Sequence, residues 1–282
     1  MSSDSTTMRL RIDISWISWS RLFRTPVPYI LVVGYAYYRY RAWHALGGGG
    51  LPHNLRGWLM NVAMHPLARR DVRVSPPPYE GDLEKLVAQD GTGTLGRSFF
   101  GREAVGEDAV LLSVPVRREG PRPTVPGTVA PQRQTDQTAT PAPFLARQEA
   151  FLSALARGHG GVFVQKASAL ESPAYQALWL DAAQLPGPLP EYFVKRAPGE
   201  WCHVHPEGST HVYLSLVDAR EVVWRGWGER HKLSGVKGWL GWGFVLVYAP
   251  RTETELAVWR EIVMAGARFV SAGVGRAVEA PA

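Results

Sequence analysis

The sequence predicts an α+β fold, in which helices cover one face of an antiparallel sheet and a hydrophobic helix precedes the domain. Three observations in the C-terminal half lead to this prediction. Polar and apolar residues alternate along Trp201–Ser215 with the period of a half-buried strand. Trp242–Tyr248 is a short, strongly apolar run of strand composition. Thr252–Glu255 is a capping box that opens a helix with a single apolar stripe. Strands and helices segregated in this way are typical of α+β proteins.

The composition is that of a globular chain with a basic excess. It has 282 residues, of which 45% are hydrophobic and 20% charged, and its formal net charge is +6. The basic residues are spread along the chain without a basic helix or a nucleic-acid motif, so we expect no nucleic-acid partner. A single cysteine, Cys202, excludes an internal disulfide and a metal site built from several thiolates.

Residues 1–50 are predicted to be a hydrophobic anchor segment. An uncharged run of 14 residues, TPVPYILVVGYAYY, lies between Arg24 and Arg39. It is shorter than the roughly 20 residues that cross a bilayer as a helix, but basic and aromatic residues of the kind found at membrane interfaces flank it. We expect membrane association or a transmembrane helix within residues 14–43, and a membrane-associated, intracellular location. The alternative is a helix buried against the domain.

Residues 51–275 are predicted to form the α+β domain, and residues 276–282 a tail. Residues 120–143 are rich in Pro, Thr and Gln and can bury little apolar surface, so they form either a linker or an arm that wraps around the domain. The other elements follow from apolar periodicity, caps and breaks. They are a helix capped by Asn54, a helix over Phe144–Arg157, strands over Ala109–Val116, Val162–Ala169 and Tyr175–Asp181, and a short helix capped by Asp218.

Half of the eight histidines lie in one segment, where His203, His205 and His211 fall within nine residues and His231 follows next to Arg230. Successive side chains of a strand point to opposite faces. If Trp201–His205 is extended, Trp201 shares the face of His203 and His205, and Cys202 points the other way into the core. Pro206-Glu207-Gly208 then forms a turn. The hairpin places three imidazoles on one polar face.

At these residues the sequence resembles the luciferase-domain family, which includes the fungal luciferases of luminous mushrooms. The resemblance covers roughly residues 51–275, with the motifs in the family's order. The matching stretches are HNLRG at 53–57, REGPRP at 118–123, QRQ at 132–134, HVHPEGSTH at 203–211, GWGERH at 226–231 and YAPRTETEL at 248–256.

The resemblance implies an oxygenase acting on a small-molecule pyrone or polyketide. In luminous members, 3-hydroxyhispidin adds molecular oxygen, forms an endoperoxide, loses carbon dioxide and leaves an excited product. The implied reaction uses oxygen as co-substrate and needs no metal, flavin or ATP, so we expect no cofactor. Non-luminous relatives leave open a second interpretation, a ligand-binding homologue without turnover.

A cofactor-free oxygenation needs a base to form an electron-rich enolate and donors to stabilise the reduced oxygen species. Histidine suits the base because its pKa lies near neutrality. We assign proton removal to His203 or His205 and their orientation to His211. Arg230 and His231 would hold the developing anion.

The predicted substrate-binding residues are partly aromatic, because flat rings stack on a conjugated substrate. They are Tyr213, Trp227, Glu229, Tyr248 and Arg251. Arg251 could instead pair with Glu255 on the following helix.

Two alternatives remain open for the histidine segment. His-x-His places two imidazoles on one strand face, and Glu207 or His211 could complete a three-ligand facial metal site. The histidines and Glu229 could also satisfy buried polar groups in a binding module.

Overall fold

The structure is a computed structural model that describes residues 25–70, 72–74, 93–101, 116–136, 142–185, 187–190, 193, 197–236 and 239–281. The chain divides into two compact units, residues 1–45 and 46–282. Most of the predicted strand over Ala109–Val116 lies outside the described residues, as do residues 1–24 of the predicted anchor segment.

The first unit contains helix α1, Val27–His44, which begins after Pro26. Across the described residues, no helix combines the length and apolar character that crossing a bilayer requires. Arg39 and Arg41 interrupt the apolar sequence of α1, and their guanidinium groups donate to the hydroxyls of Tyr35 and Tyr37 at 3.1 and 3.0 Å. The predicted transmembrane helix and membrane location are therefore wrong over the described residues, and the predicted membrane association is not supported.

A six-stranded antiparallel sheet forms the centre of the second unit, as the sequence predicts. Its order is β1-β2-β3-β4-β6-β5, and every neighbouring pair is antiparallel. The strands are β1 Phe163–Ala167, β2 Gln176–Leu180, β3 Glu200–Val204, β4 Thr210–Tyr213, β5 Gly228–Arg230 and β6 Phe244–Val247.

The hairpin between β3 and β4 has the predicted turn. His205 and Ser209 close it through the His205 N–H, which donates to the Ser209 carbonyl at 2.8 Å. Gly208 has a φ of +88°, in the left-handed region that a side chain disfavours, so glycine suits this position. In the register of the hairpin, His203 lies directly opposite His211.

Over the residues that the structure describes, this unit has four α-helices, and three of them begin at a side-chain cap. They are α2 Leu55–Met64, α3 Ala142–Gly158, α4 Leu216–Trp224 and α5 Glu253–Ala272, with a short 3₁₀ helix at His65–Leu67. Asn54 caps α2 and Thr252 caps α5, as predicted. The cap of α4 differs from the prediction, because Ser215 rather than Asp218 accepts the first free N–H group.

Helix α5 packs on the face of the sheet that carries Thr210 and Val212. The indole N–H of Trp259 donates to Thr210 Oγ1 at 2.8 Å. A Cβ atom added at Gly266 would lie 2.6 Å from Val212 Cγ2 and 2.8 Å from the Tyr213 carbonyl oxygen, so glycine allows this close approach. The α5 layer and the inner sheet face together bury most of the large core cluster.

A β-bulge changes which residues of β3 share the histidine face. Cys202 pairs with Leu178 and Glu200 pairs with Trp179, so Trp201 is the extra residue. The Trp201 ring lies 3.5 Å from where a Gly266 Cβ would be, on the α5 side with Cys202. The predicted placement of Trp201 beside the histidines is wrong, because a simple alternation does not allow for the bulge; Glu200 takes that place.

Over residues 116–136, which the structure describes, the Pro-rich segment is an arm packed against the domain and not a free linker. Its Val129, Gln132 and Gln134 are buried to 1% exposure or less. Asn61 of α2 accepts the N–H groups of Val129 and Ala130 at 2.9 and 3.1 Å. The arm therefore covers the histidine face of the sheet.

Asp218 is a buried acid at the start of α4. Its carboxylate accepts the Ser98 hydroxyl at 2.6 Å and the Phe99 N–H at 2.8 Å. Burial outweighs these hydrogen bonds and raises the pKa of Asp218 from 3.8 to about 6. The folded state therefore binds this proton more tightly than the unfolded state.

We expect Asp218 to lower the free energy of unfolding as the pH rises. The raised pKa contributes stability that is present below about pH 4 and lost as the pH passes about 6, a change of at most about 3 kcal/mol. Urea unfolding of the wild type and Asp218→Asn between pH 4 and 7 measures this change. The stability of the wild type relative to the variant should fall across that interval; a constant difference contradicts the assignment.

Candidate functional site

Four imidazoles meet at the centre of the arm-covered sheet face. This histidine cluster consists of His203 on β3, His205 at the end of that strand, His211 on β4 and His231 after β5. The ring centres of His203 and His205 are 5.2 Å apart, those of His205 and His211 4.8 Å, and those of His211 and His231 5.5 Å. The first three side chains are at most 1% exposed. The structure thus brings together all four predicted catalytic histidines.

Three carboxylates surround the cluster. Glu171 approaches His205 from the turn after β1, with Oε1 3.6 Å from Nε2. Glu200 lies 3.0 Å from His203 Nδ1, and Glu207 lies 3.4 Å from His205 Nδ1. One guanidinium, that of Arg133 on the arm, donates to Glu171 Oε2 at 3.2 Å. The site therefore combines imidazoles and carboxylates away from bulk water.

The carboxylates and the burial set the protonation of the imidazoles. Burial lowers the pKa of His205, but Glu171 and Glu207 more than offset it, and the pKa stands at about 9. Burial lowers the pKa of His211 well below its ordinary value, and the charges of neighbouring His205 and His203 lower it further. Burial likewise lowers the pKa of His231 to about 4. His211 and His231 are therefore neutral near pH 7.

The three acids remain ionised despite their burial. Burial raises the pKa of Glu171, but its interactions with His205, His203 and Arg133 outweigh it, so the net shift is downward. The pKa of Glu200 is also lowered against its burial, through His203, Ser168 and the Ala169 N–H. Glu207 follows the same balance, with a pKa lowered by His205 and Ser209. Negative charge thus concentrates around the imidazoles.

Hydrogen bonds from outside the cluster hold His211 in place. Gln132 of the arm lies with Oε1 3.2 Å from His211 Nε2. Its Nε2 donates to Glu229 Oε1 at 3.2 Å and to the Arg230 carbonyl at 3.1 Å. Tyr248 donates its hydroxyl to Glu229 at 3.0 Å. Glu229 and Tyr248, predicted to bind substrate, therefore support Gln132 and through it His211.

Other predicted residues lie apart from the cluster. Arg230 pairs with Val245, so its side chain leaves β5 on the face opposite Glu229 and His231. Trp227 donates its indole N–H to the Val116 carbonyl. Arg251 pairs with Glu255 and donates to the Glu119 carbonyl, which is the structural alternative considered above.

A small cavity lies beside the cluster, and Tyr213 lines it. Its volume is about 180 Å³, and its walls include Tyr213, Trp242 and Phe269. Phe244 separates it from the imidazoles, with ring centres 4.8 Å from Tyr213 and 4.9 Å from His211. This apolar, aromatic space suits a flat ring, although it is smaller than the roughly 300 Å³ at which ligand pockets usually begin.

Sequence reasoning missed the residues that contact the cluster from elsewhere in the chain. Glu171 and Gln132 are separated from the histidines by 30 residues or more, and neither spacing nor charge singles them out. Gln132 stands in the QRQ motif, the one signal available from the resemblance. Glu200 lies three residues before His203, and the bulge hid its position on the same face.

Four atoms of the cluster and its surroundings have the arrangement of a ligand set. Glu171, His203, His205 and His211 each offer one nitrogen or oxygen atom, and these atoms all lie within 4.8 Å of one another. The set shares three histidines with the metal alternative described above but has Glu171 in place of Glu207. All four side chains are buried.

Comparison with known proteins places the chain beside the fungal luciferases. Residues 198–266, which contain the histidine cluster, match the family model of the luciferase domain. The chain is 32% identical to a luciferase of Armillaria gallica over 166 residues, which are 55% of this chain and 60% of that protein. It is 39% identical to a luciferase of Armillaria mellea and 37% identical to one of Neonothopanus nambi, each over 84 residues, which are 28% of this chain and 30% of each relative.

The chain spans at most 60% of the length of these curated relatives. No solved structure matches it. The resemblance that the motifs predict is confirmed: residues 198–266 match the family model of the luciferase domain, and the chain is similar to fungal luciferases over part of its length.

Proposed function

We propose that the protein is a luciferase-like oxygenase that adds molecular oxygen to an enolisable pyrone of the 3-hydroxyhispidin type, with loss of carbon dioxide. The observation that carries the proposal is that the matched residues 198–266 contain all four clustered histidines. The part of the chain most similar to luciferases is thus also the part that holds the titratable chemistry.

Proton transfer in this proposal uses the imidazoles of the cluster. An enolisable hydroxyl must lose a proton before the pyrone can pass an electron to oxygen, and His203 or His205 would accept it. With a pKa of about 9, His205 would have to pass on its own proton first. His211 would orient these two rings, since it contacts both. A buried base reacts efficiently because water does not compete for it.

In this proposal His231 stabilises the reduced oxygen species. Its Nδ1 accepts the Leu233 N–H at 3.0 Å, so Nε2 carries the hydrogen of the neutral ring. A neutral N–H donor at a developing anion is an oxyanion-type contribution. Arg230 would not share this role, because it leaves the opposite face of β5.

The cavity beside Tyr213 would take the pyrone ring. Tyr213 and Trp242 supply apolar walls, and His211 lies beyond Phe244. At about 180 Å³ the cavity suits a single ring, so a styryl-substituted pyrone requires Phe244 or Trp242 to move.

Simultaneous photon counting and oxygen uptake after addition of 3-hydroxyhispidin tests the proposal. Oxygen uptake with light supports the full luciferase activity, and oxygen uptake in the dark supports an oxygenase without efficient emission. The near-complete burial of the cluster favours a second candidate, a binding protein without turnover. Quenching of tryptophan fluorescence by the pyrone without oxygen uptake would favour that candidate and reject the oxygenase.

A further inference from the structure

The hydrogen bonds around the histidine cluster leave several acceptor atoms facing one another in a buried space. We propose that Glu171, His203, His205 and His211 bind a divalent first-row transition metal ion. The resemblance implies that no metal is needed, and this stays a prediction. The arrangement of these four side chains favours a bound metal ion instead.

The orientation of His211 follows from its contact with the arm. The side-chain nitrogen of Gln132 faces two acceptors, Glu229 Oε1 and the Arg230 carbonyl, so the Gln132 oxygen faces His211 Nε2. That oxygen can only accept, and His211 Nε2 therefore carries the hydrogen. The Nδ1 lone pair of His211 consequently points toward His203, whose Nε2 is 3.2 Å away.

The orientation of His203 follows from Glu200. This carboxylate accepts the Ser168 hydroxyl at 2.6 Å and the N–H groups of Ala169 and Leu170 at 2.8 and 3.1 Å, which fixes it firmly. His203 Nδ1 lies 3.0 Å from it, at hydrogen-bond distance although not aligned for a straight bond. A hydrogen on Nδ1 leaves Nε2 of the neutral ring as a lone pair facing the lone pair of His211.

His205 repeats the arrangement on the other side. The Ser209 hydroxyl donates to Glu207 at 2.5 Å and must therefore accept from His205 Nδ1, 2.9 Å away. The remaining nitrogen, Nε2, has no hydrogen-bond partner among the described residues. It faces Oε1 of Glu171 at 3.6 Å, so here too two acceptors meet.

The net negative charge of the surrounding carboxylates favours a bound cation. Of the three surrounding carboxylates, one is balanced by Arg133 within the part of the chain that the structure describes. An imidazole must be neutral to ligate a metal, and in that state of the histidines two negative charges remain. A divalent ion neutralises them and joins all four acceptors, and imidazoles oriented by outer carboxylates and amides are usual around such ions.

The donor set defines the class of ion. Three imidazole nitrogens and one carboxylate oxygen suit Zn²⁺, Fe²⁺, Co²⁺ or Mn²⁺ far better than Mg²⁺ or Ca²⁺. Ligand bonds of about 2.0–2.2 Å place neighbouring donor atoms roughly 3.0–3.5 Å apart. The 3.2 Å contact falls within this spacing and the 3.6 Å contact lies just above it, whereas the widest separation of 4.8 Å requires a contraction of the site.

Protons offer a competing arrangement. One proton on His203 and one on His205 would turn both facing pairs into hydrogen bonds and supply the same two positive charges. A chain that uses protons binds no ion, so metal content distinguishes the two arrangements. This measurement needs no substrate, and its result is therefore independent of the proposed oxygenase activity.

The experiment uses the full chain without a polyhistidine tag, stripped with a chelator and titrated with Co²⁺ or Zn²⁺. We expect one ion per chain, a visible absorption spectrum with Co²⁺, and a rise in melting temperature on binding. Folded wild type that binds no ion at micromolar Co²⁺ or Zn²⁺ overturns the proposal, and this outcome does not depend on how any variant folds.

Matched variants identify the ligands. Glu171→Gln and His205→Gln should each weaken Co²⁺ binding more than 100-fold, and Gln132→Ala, which only orients His211, by about 10- to 100-fold. His159→Asn is the control, since His159 contacts the Glu279 carbonyl and the Phe163 ring and not the histidine cluster. Unchanged Co²⁺ affinity in folded Glu171→Gln and His205→Gln would place any bound ion elsewhere and overturn the assignment.

Discussion

Replacement of His211 by asparagine is expected to slow oxygen uptake with 3-hydroxyhispidin by about 10²-fold or more, because misplacing the proposed bases by about 1 Å can cost that much. His211 contacts His203, His205 and His231, and Gln132 fixes its orientation. Asparagine keeps a polar group but removes the ring that touches all three neighbours. An oxygen electrode measures the rate at saturating pyrone.

His159→Asn provides the comparison for that experiment, because it removes a histidine from the domain without touching the cluster. It should keep the wild-type rate of oxygen uptake. Circular dichroism and a melting curve establish that His211→Asn is folded before its rate is interpreted. Wild-type oxygen uptake by the folded variant would remove His211 from the proposed chemistry.

Replacement of Glu200 by alanine is expected to lower the free energy of unfolding by about 3–5 kcal/mol, as for other broken buried polar networks. Glu200 is fully buried and accepts from Ser168, Ala169 and Leu170 while facing His203. Alanine would leave these donors without an acceptor in a place that water does not reach. Urea unfolding at neutral pH measures the loss.

Two further variants separate the network from the charge alone. Glu253→Ala removes a surface carboxylate that pairs with Arg147 and is 68% exposed, and it should destabilise the protein far less than Glu200→Ala does. Glu200→Gln keeps one acceptor oxygen and should fall between Glu253→Ala and Glu200→Ala. Equal losses for Glu200→Ala and Glu253→Ala would mean that the buried network contributes no stability.

The sequence predicted the parts of the fold that rest on local patterns. The hairpin of His203 and His211 follows from alternation and a turn, and the cap at Thr252 follows from a capping box. The prediction for Trp201 failed because a bulge depends on how β2 and β3 pair, which alternation along one strand does not contain. The anchor prediction failed because it gave more weight to the aromatic residues around α1 than to the arginines within this helix.

The candidate site was predictable only where its residues are neighbours in the sequence. Alternation and the turn were enough to group the first three histidines on one face. Glu171 and Gln132 reach that face from the β1–β2 turn and the arm, and only the sheet order and the packing of the arm bring them there. Arg230 shows the converse, since a residue next to His231 in the chain leaves the opposite face of β5.

The sheet order also bears on how the domain can be divided. The stretch that matches the luciferase domain, residues 198–266, begins just before β3 and therefore excludes β1 and β2. In an excised fragment, β3 would become an open edge with unpaired N–H and C=O groups, the kind of edge that recruits other chains into aggregates. Glu171 and Gln132 would be absent as well. The stretch that matches the luciferase domain is thus shorter than the part of the chain that builds the histidine site.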